Sequence, residues 1–183
     1  MVVLRVEEIK KKPREISFSE LSSGFPALHE AEQSGECSFL TPVTGMLRAT
    51  WEYDHVRVEG GVEARVRHAC ARCLAEFEQD IAASFVVYYS EAAPGAEPDD
   101  EIELAERDLL SASYYGDEIE VAPEIAEQLL MELPVKPLCD DRCLGLCPGC
   151  GVDLNRETCS CERQSGSLAF SALQQFTVPR KGE

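Results

Sequence analysis

The chain has 183 residues, with 17 Lys or Arg against 34 Asp or Glu, nine Cys, and 44% hydrophobic residues. Length and apolar content suit one folded domain with a small appendage and exclude a disordered chain. A formal charge of -17 excludes the basic footprint on which non-specific binding to DNA, RNA or an anionic membrane depends. No apolar run reaches the roughly 18–20 residues that cross a bilayer, and Met1–Arg5 lacks the order of a signal peptide. The expectation is therefore a cytoplasmic protein with no membrane or DNA partner, whose cysteines serve metal or redox chemistry rather than a disulfide framework.

Lys10, Lys11, Lys12 and Arg14 form one of two basic groups; the other is Arg180–Lys181. Val43, Gly45, Leu47, Ala49 and Trp51 alternate with Thr44, Met46, Arg48 and Thr50, the period of a half-buried strand. His55–Val58 continues after a turn, and Gly60–Gly61 is read as the next reversal. Val62, Ala64 and Val66 then alternate with Glu63, Arg65 and Arg67 on a strand that leads into Cys70. Phe77, Ile81, Ala83, Phe85, Val87 and Tyr89 share one face of a long return strand, which puts Cys70-Ala-Arg-Cys73 at a hairpin tip.

An acidic block follows. Between Glu91 and Glu132 there are fourteen Asp and Glu and one basic residue, Arg107. Pro94–Glu101 reads as an acidic loop, since its prolines and carboxylates cannot build a packed element. Glu118–Val121 fits a short strand. A helix follows with Pro123 in its first turn, where a missing N–H costs least. Ile125, Ala126, Leu129, Leu130 and Leu133 line its apolar side, and Pro134 and Pro137 end it. Leu168, Ala169, Ala172, Leu173 and Phe176 predict a last amphipathic helix capped by Ser167. The predicted class is α+β: an antiparallel β-rich body with a central helix (1–133), then a cysteine-rich, zinc-binding segment ending in a short helix (134–183).

Eight cysteines fall in four close pairs: Cys70 with Cys73, Cys139 with Cys143, Cys147 with Cys150, and Cys159 with Cys161. Four pairs meet the demand of two tetrahedral zinc ions, each wanting four soft ligands. Cys147-Pro-Gly-Cys150-Gly151 is a strong knuckle, because proline sets the bend and the following glycine accepts a left-handed backbone. The pairs combine in three ways. The favoured one joins Cys70, Cys73, Cys139 and Cys143, leaving Cys147, Cys150, Cys159 and Cys161 as a local ribbon. A competing one joins Cys139, Cys143, Cys147 and Cys150, leaving Cys70, Cys73, Cys159 and Cys161 as a long-range site. A single zinc or none stays open, and spacing does not decide among these. All-cysteine zinc sites are closed to water and stabilise rather than catalyse. Iron–sulfur ligation lacks the usual spacings. Cys37 reads as a small apolar side chain.

No catalytic constellation emerges. His29, His55 and His68 are scattered, no phosphate-binding glycine loop follows a strand, and strands rather than a helix start flank Cys70 and Cys73, against a thioredoxin-like site. His68 falls on the apolar face of its strand, where a satisfied core histidine is commoner than a ligand. The chain is not expected to be an enzyme.

Cys70-Ala-Arg-Cys73-Leu74, Glu132-Leu-Pro-Val-Lys-Pro-Leu-Cys139, and Gly145-Leu-Cys-Pro-Gly-Cys-Gly-Val-Asp-Leu-Asn155 followed by Cys159-Ser-Cys161 together resemble the YceD family, the large ribosomal RNA subunit accumulation proteins. The resemblance runs from the strand near Val43 to Cys161. It implies a bacterial or chloroplast ribosome-biogenesis factor needed for accumulation, processing or stability of the 23S (large-subunit) rRNA. Some members lack the last four cysteines, which favours the first pairing. The family often carries Asp-Pro-Arg before its last helix, where this chain has Ser165-Gly-Ser167, so no function is carried onto Leu168–Phe176. Phosphate-led RNA binding needs a basic stripe that only the two small basic groups offer. The expectation is a protein partner, a basic ribosomal protein or assembly factor held by the acidic Glu91–Glu132 surface, with any rRNA contact indirect. The alternative is a redox-sensing zinc switch or chaperone-like protein, in which oxidation of Cys147–Cys150 or Cys159–Cys161 ejects metal and exposes apolar surface.

Overall fold

Side-chain alternation sets the frame of the molecule. In the structure, a computed structural model that describes residues 2–92 and 110–161, the elements are β1 (Val3–Arg5), α1 (Val6–Lys11), β2 (Arg14–Glu20), α2 (Pro26–Ser34), β3 (Ser38–Phe39), β4 (Val43–Glu52), β5 (His55–Ala69), β6 (Glu76–Glu91), β7 (Ser111–Tyr114), β8 (Glu118–Glu120) and α3 (Ala122–Met131). The acidic loop Pro94–Glu101, the helix expected at Leu168–Phe176 and the basic pair Arg180–Lys181 lie outside the described residues.

The main sheet runs β2-β4-β5-β6-β7, with β3 also paired to β5. It is antiparallel except at its last step, where β7 runs parallel to β6 with Tyr88 opposite Ser111. The fold is α+β, as expected, on a mixed sheet. β5 and β6 pair from His55↔Ser90 to Ala69↔Glu76 without interruption. At ~3.4 Å per residue such a ribbon is about 50 Å long, and the Cys70–Cys73 turn closes its end.

The reversal expected at Gly60–Gly61 is absent. Both glycines are interior residues of β5, opposite Leu47 and Met46 on β4 and Phe85 and Ser84 on β6. Their role is close approach. A Cβ on Gly60 would sit 2.2 Å from the Met46 carbonyl oxygen and 2.7 Å from Leu47 Cδ2. The even-numbered face never changes across them: Val56, Val58, Val62, Ala64, Val66 and His68 are all buried. A two-residue reversal has to start a new strand, whereas unbroken phase marks one continuous strand.

The helices cover that face. Ile125, Ala126 and Leu129 of α3, Leu28 of α2, and Val6 and Ile9 of α1 pack with the buried residues of β4, β5 and β6 in one core. β8 does not join the main sheet; it pairs with β1 (Leu4↔Ile119), which roots the N-terminus beside the start of α3. The opposite face of the sheet carries Met46, Glu63, Arg65, Asp80, Ala82 and Ser84, exposed or half-buried. The N-terminal basic group is already engaged in part: Lys10 lies 4.8 Å over the Trp51 ring and Arg14 pairs with Glu8 at 2.6 Å.

Candidate metal centre

Two knuckles of the same design present the first thiols of each cluster. In the hairpin turn, Cys70 N–H donates to the Ala75 carbonyl, Leu74 N–H to the Cys70 carbonyl, and Arg72 N–H points at Cys70 Sγ at 3.5 Å. In the tail, Cys147 N–H donates to the Val152 carbonyl, Gly151 N–H to the Cys147 carbonyl, and Gly149 N–H points at Cys147 Sγ at 3.4 Å. The residue after the second cysteine is left-handed in both, Leu74 at φ 61° and Gly151 at φ 77°. The tail places glycine there, and the hairpin a two-thirds-exposed leucine.

The structure brings together Cys70, Cys73, Cys139 and Cys143 in one group and Cys147, Cys150, Cys159 and Cys161 in a second, all sulfurs of a group within 4.8 Å of one another. Of the pairings open to the sequence, this is the one that joins the hairpin pair to Cys139 and Cys143 and leaves the last four cysteines as a local ribbon. Sulfurs at about 2.3 Å from a tetrahedral zinc stand about 3.8 Å apart. The Cys70–Cys143, Cys73–Cys139 and Cys147–Cys159 separations are 3.8, 3.6 and 3.3 Å. The donor set is the soft one zinc prefers, and each group could supply four ligands, the full number a tetrahedral ion takes.

The hairpin group needs a scaffold, because Cys139 and Cys143 come from a segment without regular structure. Ala71 N–H bonds the Pro137 carbonyl and Leu146 N–H bonds the Arg72 carbonyl. The Arg72 guanidinium donates to the carbonyls of Asp141 and Cys143 at 3.0 and 2.9 Å. Gly145, at φ 75°, lies where a Cβ would be 2.9 Å from the Arg72 carbonyl, so both its conformation and its closeness require glycine.

Charge within each group is graded. Backbone N–H groups of Cys139 and Cys73 draw the Cys70 thiol down to about 6, and those of Cys150 and Gly149 do the same for Cys147. Once such a thiolate exists, its neighbours resist ionising. Cys139 is pushed up to about 12 by Cys70 and Cys73, and Cys161 to about 12 by Cys150 and Cys147. A bound cation removes that repulsion. The groups differ in access: Cys70, Cys73 and Cys143 are buried and Cys139 is exposed, whereas in the tail group Cys147 is buried, Cys159 is half-buried and Cys150 and Cys161 are exposed.

Cys37 is buried outside both groups, and burial with Glu32 and Glu36 nearby pushes its thiol up to about 11. The histidines stay apart. His29 meets Gln33, His55 lies between Asp54 and Tyr88, and His68 packs against Phe77. His68 is a core residue, but its Nε2 finds no hydrogen-bond partner among the described residues. Two functional-looking side chains escaped the sequence reading, Arg72 and Asn155, since neither a non-ligand inside a knuckle nor a loop amide carries a spacing signal.

Compared with known proteins, the chain matches over residues 58–177, about two thirds of its length, the family described as Large ribosomal RNA subunit accumulation protein YceD. It is 26% identical over 144 residues to the Zea mays protein named Large ribosomal RNA subunit accumulation protein YCED homolog 1, chloroplastic, covering 67% of this chain and 49% of that one. The Arabidopsis thaliana protein of the same name is 30% identical over 56 residues, 31% of this chain and 17% of that one. An uncharacterized protein of Mycobacterium tuberculosis is 32% identical over 111 residues, covering 61% and 51%. The chain thus spans about half the length of these curated relatives or less. No solved structure matches it.

Proposed function

This chain belongs to the YceD family, and on that footing we propose that it supports accumulation of large-subunit ribosomal RNA as a non-enzymatic, zinc-stabilised factor acting through protein. The observation that carries the reading is the pair of closed four-thiol groups within the family-matched stretch. A metal with four protein ligands has no site for substrate or water, so zinc there supplies cross-linking rather than catalysis. Cys70, Cys73, Cys139 and Cys143 hold one ion, fastening the far end of the β5–β6 ribbon to the chain that leaves α3. Cys147, Cys150, Cys159 and Cys161 hold the other and fold the tail upon itself.

Charge supports a protein route. Two zinc ions with four thiolates each carry about -2 apiece, taking the formal charge from -17 to about -21. Asp117, Glu120, Glu127 and Glu132 are exposed on and beside β8 and α3, and no ion pair engages them among the described residues. The partner is a basic ribosomal protein or assembly factor held on that face, which makes rRNA contact indirect. No helix among the described residues is long and apolar enough to cross a membrane, and the reading places the protein in the cytoplasm. Deleting the gene in its host should lower large-subunit relative to small-subunit rRNA, with restoration by the wild-type gene; an unchanged ratio refutes the role. In nuclease-treated lysate the protein should still capture a basic partner, and loss of every partner with the RNA contradicts the protein route.

The greater exposure of the tail thiols favours a second reading of that cluster alone, a redox-sensing zinc switch. Peroxide would convert two thiolates to a disulfide, itself reduced to water, and release the ion. Retention of both ions under mild peroxide, with no rise in binding of a dye for apolar surface, removes this reading.

A further inference from the structure

The two four-thiol groups are joined by one side chain. Asn155 belongs to the tail ribbon, in the loop between Cys150 and Cys159, yet its Nδ2 donates to Cys143 Sγ of the hairpin group at 3.3 Å. The amide orientation follows from its partners. Leu144 N–H is a donor and meets Oδ1 at 2.8 Å, while the Asp153 carboxylate is an acceptor and meets Nδ2 at 2.7 Å. One amide hydrogen thus goes to Asp153 and the other is left for the sulfur.

We propose that Asn155 couples the two metal groups, so that loading Cys147, Cys150, Cys159 and Cys161 strengthens metal retention by Cys70, Cys73, Cys139 and Cys143. This rests on the reading that both groups hold zinc. The physical chain is short. An ion in the tail group ties together the ends of the loop 151–158. Within it, Arg156 and Glu157 N–H groups close a turn on the Asp153 carbonyl, and Asp153 holds Asn155 through both its backbone N–H, at 3.0 Å, and its side chain. The loop is registered on the hairpin group by Leu154 N–H to the Gly145 carbonyl and by the Leu146–Asp153 bridge. A donor aimed at a ligand sulfur stabilises the metal-bound thiolate, and outer partners of this kind are worth about 10–100-fold in metal affinity. Asn155 is exposed to water, which sets the expectation at the low end, about tenfold. Linkage makes the effect reciprocal, so an occupied hairpin group strengthens the tail group by the same factor.

The test is a double-mutant cycle on the full chain loaded with zinc alone: wild type, Asn155→Ala, Cys159→Ser with Cys161→Ser, and all three changes together. A competing chelator is raised stepwise, and loss of zinc from the hairpin group is read by alkylation of Cys70, Cys73, Cys139 and Cys143, mapped by mass spectrometry. Asn155→Ala and the tail double change should each release that group at about tenfold less chelator, and the combined protein at no less than either. Cobalt(II) in the hairpin group should also show a shifted thiolate charge-transfer band in the Asn155→Ala protein. A shift under about twofold for Asn155→Ala, or effects that multiply to about a hundredfold, overturns the coupling. Wild type that retains no zinc at all overturns it differently, by removing the metal reading beneath it.

Discussion

Gly60 and Gly61 are adjacent, chemically identical and on the same strand, yet alanine should affect them in opposite directions. A Cβ at Gly60 points toward β4, 2.2 Å from the Met46 carbonyl oxygen, 2.7 Å from Leu47 Cδ2 and 2.9 Å from Leu47 Cα. Two of these three obstacles are backbone, so relief means moving β4 by about 1 Å against the ladder that holds it to β5. Overpacking of that kind costs about 2–3 kcal/mol. A Cβ at Gly61 meets only the Ala83 carbonyl oxygen, at 3.6 Å, an ordinary contact. Neither residue has a positive φ, so Gly61→Ala should gain about 0.4–1 kcal/mol by restricting the unfolded chain. Thermal unfolding of the zinc-loaded protein reads the difference. At about 2–4 °C per kcal/mol for a chain of this size, Gly60→Ala lowers Tm by about 4–12 °C while Gly61→Ala leaves it level or raises it by a few degrees. Equal damage at both positions refutes the continuous strand, since a turn there would place the same conformational demand on both.

Three further outcomes follow from the same geometry. Leu74→Gly should raise stability by about 0.5–1 kcal/mol in urea unfolding, because glycine relieves the left-handed backbone and the exposed leucine has little burial to lose; a loss of stability contradicts this. Gly145→Ala should destabilise the hairpin group by about 1–3 kcal/mol and weaken its zinc, read as earlier alkylation of Cys139 and Cys143. For Cys37 the folded thiol titrates near 11 against an ordinary value near 9, so the neutral form is favoured by folding. Its contribution is complete below the unfolded value and is lost as pH rises through that window. The stability of wild type minus that of Cys37→Ala should be flat below pH 9 and fall toward pH 11, and a difference that stays flat or rises contradicts the burial argument.

Much of the fold was legible because the long elements repeat their signal. The faces of β4 and β6 follow from alternation, and α3 follows from Ile125, Ala126 and Leu129 behind Pro123. Short elements lacked that redundancy. α1 has two buried residues in a run of Glu and Lys, and α2 rests on Leu28 and Ala31 with no side-chain cap. β7 is Ser-Ala-Ser-Tyr, which tertiary pairing with β6 makes a strand. Gly60–Gly61 reads as a reversal because a glycine pair serves turns and close packing alike; the unbroken even-numbered phase around it is the deciding signal. At the metal centre, residue type and spacing were enough to name the eight thiols. Their grouping needed the long β5–β6 pairing and the Arg72 contacts, which depend on residues far apart in sequence. Asn155 was invisible for the same reason, being eleven residues from the amide it accepts and twelve from the sulfur it serves.

If two four-thiol groups each hold one metal ion, metal content per chain shows it. Native mass spectrometry of protein purified under reducing conditions should find two zinc ions in wild type. In Cys70→Ser it should find one, with Cys147, Cys150, Cys159 and Cys161 still shielded from alkylation. A wild-type chain without metal, or a Cys70→Ser chain whose remaining ion leaves the tail thiols open to alkylation, rules out one ion in each group.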